Sequence, residues 1–362
     1  MEDTNSQQYR SFHSELYDEM YKNAFDEDTR DEFWKKQAER VHWDKFPETI
    51  LDNSNPPFFK WFPDGEMNIC YNALDKNIAE GRGEQDAIIW DSAYTKTSHR
   101  YSYNEVLDRV SRLARILTEK FEITMGDRVL IYMPMIPEAS FAMLACTRIG
   151  AIHSVVFGGF AAKELSNRID DSKPKVIITT SCGIEPNKVI RYVPIVEEAL
   201  SISNLPNLKR LIVQRHDVVF ETDLNSELYF DYYELMAHTK TGVDCVSVKS
   251  NHEMYILYTS GTTGTPKGVV RDTGGTAVAL NYVMDIVFNL QPGDTWFAAS
   301  DIGWVVGHSF IVYGPLIRGC STVFYEGKPV YTPDAGAFWR IIEQYKPHSV
   351  YCAPTAIRVI KK

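Results

Sequence analysis

From about residue 68 onward, short apolar runs alternate with stretches whose apolar residues recur at helical spacing. Val106, Val110, Leu113, Ile116 and Leu117 fall on one face of a helix predicted over Glu105–Glu119. Arg128–Met133 then has the length and apolar content of a buried strand. Pro137–Ile149 predicts a helix, with Pro137 suited to its first turn. The alternation continues with strand Ala151–Phe157, helix Lys163–Asp170, strand Lys175–Thr180, helix Val189–Leu200 and strand Arg210–Arg215. It resumes with strand Met254–Thr259, helices Thr276–Phe288 and His308–Leu316, strand Thr322–Tyr325, helix Asp334–Tyr345 and strand Ser349–Cys352. Strands alternating with helices imply βαβ units, a parallel sheet and an α/β fold.

The first 65 or so residues follow a different pattern. Ser14–Arg40 sets Leu16, Tyr17, Met20, Phe25, Phe33 and Trp34 among many charges, which predicts one or two amphipathic helices lying on the main body. Pro56-Pro57 and Pro63-Asp64-Gly65 mark turns. Two regions follow: a mostly helical segment over 1–67 and a large α/β domain over 68–362. The most apolar long stretch, Phe141–Ala162, is interrupted by Arg148, His153 and glycines, and fits a helix plus a buried strand better than a membrane span. The start, Met1-Glu2-Asp3-Thr4, is acidic and lacks the features of a targeting peptide, so a cytoplasmic location is expected. A formal charge of −10 argues against nucleic acid as the main partner. The cysteines, at 70, 146, 182, 245, 320 and 352, form no C-x-x-C pair and predict reduced, mostly buried thiols with no metal site.

One stretch carries the clearest chemistry. Thr259-Ser260-Gly261-Thr262-Thr263-Gly264-Thr265-Pro266-Lys267-Gly268 follows the apolar run Met254–Leu257. Its glycines let backbone approach a ligand, and successive N–H groups there can form an anion nest. Five hydroxyls and the mobile cation of Lys267 add donors suited to a polyphosphate. The Walker A spacing does not fit, because Thr265 and Pro266 separate Gly264 from Lys267. A flexible polar linker is the competing reading; the strand before the loop and its Pro-Lys-Gly ending weigh against it.

The loop resembles the phosphate-binding signature of the adenylate-forming superfamily at every position from Thr259 to Gly268. Three further segments resemble its acetyl- and propionyl-CoA synthetase branch: Lys60–Asn72, Ser154–Phe160 and Asp301–Ser309. The resemblance runs from about Tyr17 to Lys362. It implies that Phe157, Gly158 and Gly159 border a coenzyme A channel, although read alone the two glycines also fit a strand-to-helix turn. It assigns the nucleotide end of coenzyme A to Lys188, where acetate-activating members usually carry arginine; lysine keeps the charge but lacks the planar fork. It places Trp304, Val305 and Val306 at the acyl end. Valine at 306, where acetyl-type members commonly have threonine, makes the wall more apolar and favours one extra methylene by roughly 1 kcal/mol. His308 reads as a hydrogen-bonded structural histidine.

The implied reaction joins propionate or acetate to ATP as an acyl-adenylate, then to coenzyme A, releasing AMP and pyrophosphate. Its first step brings two anions together and needs charge neutralisation above all. Ser260, Gly261, Thr262, Thr263 and Gly264 would cradle the phosphates, Lys267 would support the departing pyrophosphate, and Mg2+ would bridge phosphate oxygens. The family's adenine-, ribose- and magnesium-binding segments and its mobile C-terminal domain have no counterpart before Lys362. The chain is therefore expected to be a truncated form, inactive on its own. Two other readings stay open: a non-catalytic product that binds nucleotide or coenzyme A, and a synthetase for another acid. The sequence sets no oligomeric state, and a mitochondrial location is the family's other expectation.

Overall fold

Buried on both faces, the apolar runs become the centre of a seven-stranded sheet. The computed structural model describes residues 15–218, 220–259 and 266–362. Across the larger sheet the strands run Tyr229–Asp231, Lys209–Val213, Val176–Thr180, Arg128–Tyr132, Ile152–Val156, Glu253–Thr259 and Lys267–Asp272. The first six are parallel and the last is antiparallel. Along Arg128–Tyr132, Val129 and Ile131 join the core on one face, while Leu130 and Tyr132 join a second core on the other. Helices Ala162–Ser172 and Tyr192–Ser201 cover the second face; Tyr103–Glu119 and Pro137–Arg148 supply the first. This is a doubly wound sheet, and its strand order reverses between Arg128–Tyr132 and Val176–Thr180.

A second sheet of five strands runs Ser349–Cys352, Thr295–Ala299, Ser321–Glu326, Asp86–Ser92 and Thr97–Ser102, antiparallel only at its last pair. Helix Ala337–Tyr345 packs Phe338 and Ile341 against Ile89, Phe297 and Val323 of this sheet. Helix Tyr103–Glu119 starts at a capping box: the Glu105 N–H donates to the Ser102 hydroxyl, and the Ser102 N–H donates to the Glu105 carboxylate at 2.8 Å. The two sheets are tied by a buried pair. Arg215, just past strand Lys209–Val213, donates to both oxygens of Glu326 at 2.8 and 3.1 Å, and both side chains are 3% exposed. Trp90 of the smaller sheet adds an indole N–H bond to the Met135 carbonyl at 3.0 Å.

The N-terminal segment forms helices at Glu15–Phe25 and Arg30–Ala38, but among the described residues only the second packs on the body, through Phe33 and Trp34 against Trp61 and Tyr282, while Tyr21 and Phe25 of the first stay exposed. The segment is also stitched into the body, since Glu66–Met67 pairs with Val248–Lys249. Three expectations need correction. Val189–Leu200 is not one helix: Lys188–Arg191 is a strand paired with Cys182–Glu185 across a turn at Pro186-Asn187, and the helix starts at Tyr192. Neither sheet is wholly parallel. The predicted helices Thr276–Phe288 and His308–Leu316 open into wider turns at Val283–Val287 and His308–Tyr313. Four of the six thiols are buried, and Cys245 and Cys352 are half-buried. No helix among the described residues is long and apolar enough to cross a membrane.

Candidate active site

In an open α/β sheet, ligands collect outside the carboxyl ends of the strands where the strand order reverses. Here that place holds a cavity of about 130 Å³. Pro134 and Met135 reach it from the end of one strand flanking the reversal, Gly183 and Ile184 from beyond the other. Phe157, Gly158 and Gly159 form another wall. A larger cavity of about 650 Å³ lies between Trp34, Trp61 and strand Lys267–Asp272. The smaller one is the better candidate, because it sits at the strand-order reversal and is bordered by Phe157, Gly158 and Gly159.

The structure brings together two segments that lie far apart in sequence. The Trp304 ring packs on Phe157 at 5.5 Å and on Phe160 at 6.2 Å between centroids. Gly303 makes that contact possible, since a Cβ there would lie 2.6 Å from the Phe157 Cα. Gly158 has a similar reason: a Cβ would meet the Tyr192 hydroxyl at 2.2 Å. Its φ is not positive, so close approach rather than turn geometry requires the glycine. Trp304 and Val305 remain 45% and 42% exposed, and Val306 is half-buried, so this apolar wall is open on one side.

Lys188 is exposed on its hairpin strand opposite Glu185 and does not line the cavity. Lys328, which sequence reasoning missed, does line it and is ion-paired with Glu185. Tyr192, Asp301 and Glu326 were missed as well. Burial pushes the Asp301 carboxyl up to about 6, against the pull of the Gly303 N–H at 2.7 Å. Burial also raises Glu326, with the Arg215 guanidinium opposing. His308 donates from Nδ1 to the Trp304 carbonyl at 3.1 Å, its ring stacks on His153 at 5.4 Å, and burial lowers it to about 4. It is buried beneath the Trp304 wall, with its Nε2 unpartnered among the described residues.

The glycine-rich loop joins two antiparallel strands, with Thr259 opposite Lys267 and Tyr258 opposite Gly268. Thr259 and Lys267 are exposed at the carboxyl end of strand Glu253–Thr259. Ser260, Gly261, Thr262, Thr263, Gly264 and Thr265 lie outside the described residues. Tyr255 pairs in parallel with His153, so strands Glu253–Thr259 and Ile152–Val156 lie side by side and run the same way. The strand before the phosphate-type loop and the strand before the Phe-Gly-Gly loop thus end on one edge of the sheet.

Residues 75–362 match the family described as AMP-binding enzyme. The chain belongs to that family. Residues 17–73 also match the family described as acetyl-coenzyme A synthetase N-terminus. The chain is 53% identical over 331 residues to acyl-CoA synthetase short-chain family member 3, mitochondrial, of Rattus norvegicus, covering 91% of this chain and 48% of that protein. It is 43% identical over 347 residues to propionate–CoA ligase of Escherichia coli, covering 96% and 54%. Its fold is similar to acetoacetyl-CoA synthetase from Streptomyces lividans, with a TM-score of 0.84 and 26% identity over 94% of this chain and 51% of that one. The chain spans about half the length of the curated relatives it matches.

Proposed function

We propose that this chain is the nucleotide- and thiol-approach half of a short-chain acyl-CoA ligase, acting on propionate or acetate with ATP and coenzyme A. The observation that carries the reading is the packing of the Trp304 wall on Phe157 beside the cavity at the strand-order reversal. A channel for a thiol arm and a wall for an acyl chain have to meet where the thioester forms, and these two segments do meet. In this reading, Gly158 and Gly159 border the arm, and Trp304, Val305 and Val306 face the acyl group. Lys328 joins Lys188 as a cation at the mouth, and the loop Thr259–Gly268 takes the phosphates of ATP, with Lys267 supporting pyrophosphate.

The residues fit these groups in chemical type. Thr259 and Lys267 offer a hydroxyl and an ammonium at an exposed strand end, as an ATP phosphate requires. Magnesium would be held chiefly by the phosphate oxygens and would neutralise their charge; no carboxylate is assigned to it. The Val306 side chain favours propionate, and a methylene discriminates only about 10- to 200-fold, so acetate is the second substrate. The chain alone is expected to lack propionate-dependent ATP–pyrophosphate exchange.

Titration calorimetry on this chain tests the binding half of the reading. Coenzyme A and magnesium–ATP should each bind. Lys267→Ala should weaken ATP by about tenfold, or ~1.4 kcal/mol, while leaving coenzyme A unchanged. Absence of binding by both ligands to folded protein, or an unchanged ATP affinity in the Lys267 variant, would refute the assignment.

A further inference from the structure

Away from the cavity, Cys70, Asp75 and Cys245 place their ligand atoms within 4.8 Å of one another, an arrangement that resembles a metal site. The guanidinium of Arg148 decides against a cation. Its Nη1 donates to Asp75 Oδ2 at 2.8 Å and to the Cys245 Sγ at 3.0 Å, and lies 3.7 Å from the Cys70 Sγ. Its Nη2 donates to the other Asp75 oxygen at 2.9 Å, and its Nε to the Val243 carbonyl. A positive charge 3% exposed already sits among the three groups. What remains is a pair of neighbouring thiols held by one donor.

We propose that Cys70 and Cys245 are an oxidisable dithiol that closes to a disulfide when a hydroperoxide reaches the protein. Cys245 is the half-buried member and meets the oxidant; Cys70 is fully buried behind it on helix Ile69–Ala73. The Cys245 sulfur attacks one peroxide oxygen, the O–O bond breaks, and a sulfenic acid and one water form. The Cys70 sulfur then displaces the sulfenic hydroxyl, which leaves as water with the Cys70 proton. Two thiols and one hydrogen peroxide give one disulfide and two waters, with two electrons passing to the peroxide. Hydrogen bonds at Gly242, Val243 and Val246 hold the backbone around Cys245, so the two sulfurs, within 4.8 Å of each other, close to bonding by rotation of the Cys245 side chain away from Arg148. Hydrogen bonding to Cys70 and burial hold the Cys245 thiol well above its ordinary range, with Arg148 pulling the other way. The oxidation is therefore slower than that of an exposed thiol.

The bond would join helix Ile69–Ala73 to the chain just before Val248–Lys249, whose partner strand is Glu66–Met67. It closes a long loop and should raise the thermal midpoint, reversibly with dithiothreitol. The test is to treat the reduced full chain with hydrogen peroxide, block free thiols, digest without reduction and map cysteine peptides by mass spectrometry. The expected result is a Cys70–Cys245 linked peptide, retained in Cys352→Ser, lost in Cys245→Ser and lost on reduction. Oxidation of Cys352 in the same sample without any Cys70–Cys245 link would overturn the proposal. So would stoichiometric zinc binding that blocks alkylation of Cys245. The wild-type map alone decides, whether or not the variants fold.

Discussion

Replacing Gly158 by alanine should destabilise the protein through one contact. The new Cβ would sit 2.2 Å from the Tyr192 hydroxyl and 3.3 Å from the Met133 carbonyl oxygen. The first distance is more than an ångström inside a normal van der Waals contact. Tyr192 has little room to retreat. It is 3% exposed and packs on Tyr132 at 4.8 Å, and the Tyr132 hydroxyl is itself fixed by the Phe160 carbonyl at 2.7 Å. Overpacking at such sites costs about 1–3 kcal/mol. At about 2 °C per kcal/mol, the small end of the range for larger domains, the thermal midpoint should fall by about 2–6 °C. Removing the obstructing atom should reverse the loss. In Gly158→Ala with Tyr192→Phe, the nearest remaining ring atom is Cζ at 3.3 Å, which needs only a slight shift. Differential scanning fluorimetry of the wild type, both single variants and the double variant gives the coupling directly. The reasoning fails if alanine leaves the midpoint unchanged, or if Tyr192→Phe recovers none of the loss.

Breaking the buried pair should be more severe. Arg215→Met leaves Glu326 without its guanidinium and should cost about 3–5 kcal/mol, measured by urea denaturation. Asp301 should leave a pH signature. Its folded value, about 6, lies above the ordinary carboxyl value of 3.8, so its contribution is full below about pH 4 and is lost as pH rises to 6. Asp301→Asn removes that loss, so the variant should gain stability relative to wild type across this interval, with the difference flat above about pH 7; a constant difference from pH 4 to 7 would contradict the assignment.

What the sequence could disclose followed burial. Val129–Tyr132 and Val176–Ile178 are apolar on both faces because helices cover both, and such runs are visible in one dimension. Thr97–Ser102 is a strand because its backbone pairs with Asp86–Ser92, and its mostly exposed side chains carry no alternation to read. Lys188–Arg191 was misread for the same reason: an exposed hairpin strand rich in Val and Ile borders a true helix, and the apolar spacing runs through both. The Gly-Thr loop and the Phe-Gly-Gly and Trp304 segments could be proposed from sequence because each concentrates its residue types locally. Tyr192, Asp301, Glu326 and Lys328 were not, since only tertiary folding brings them to one cavity. The same holds for Cys70, Arg148 and Cys245, which meet across three separate stretches of chain.

The Arg215–Glu326 pair acts like a pin between two plates. One anchor leaves the larger sheet and the other ends a strand of the smaller one, while Glu326 also borders the cavity. The spacing of the cavity's walls is therefore set partly by a contact that need touch no ligand. A change at Arg215 should alter how well a guest fits without removing any group the guest meets, so a loss of affinity there would report altered spacing between the plates rather than a missing handhold.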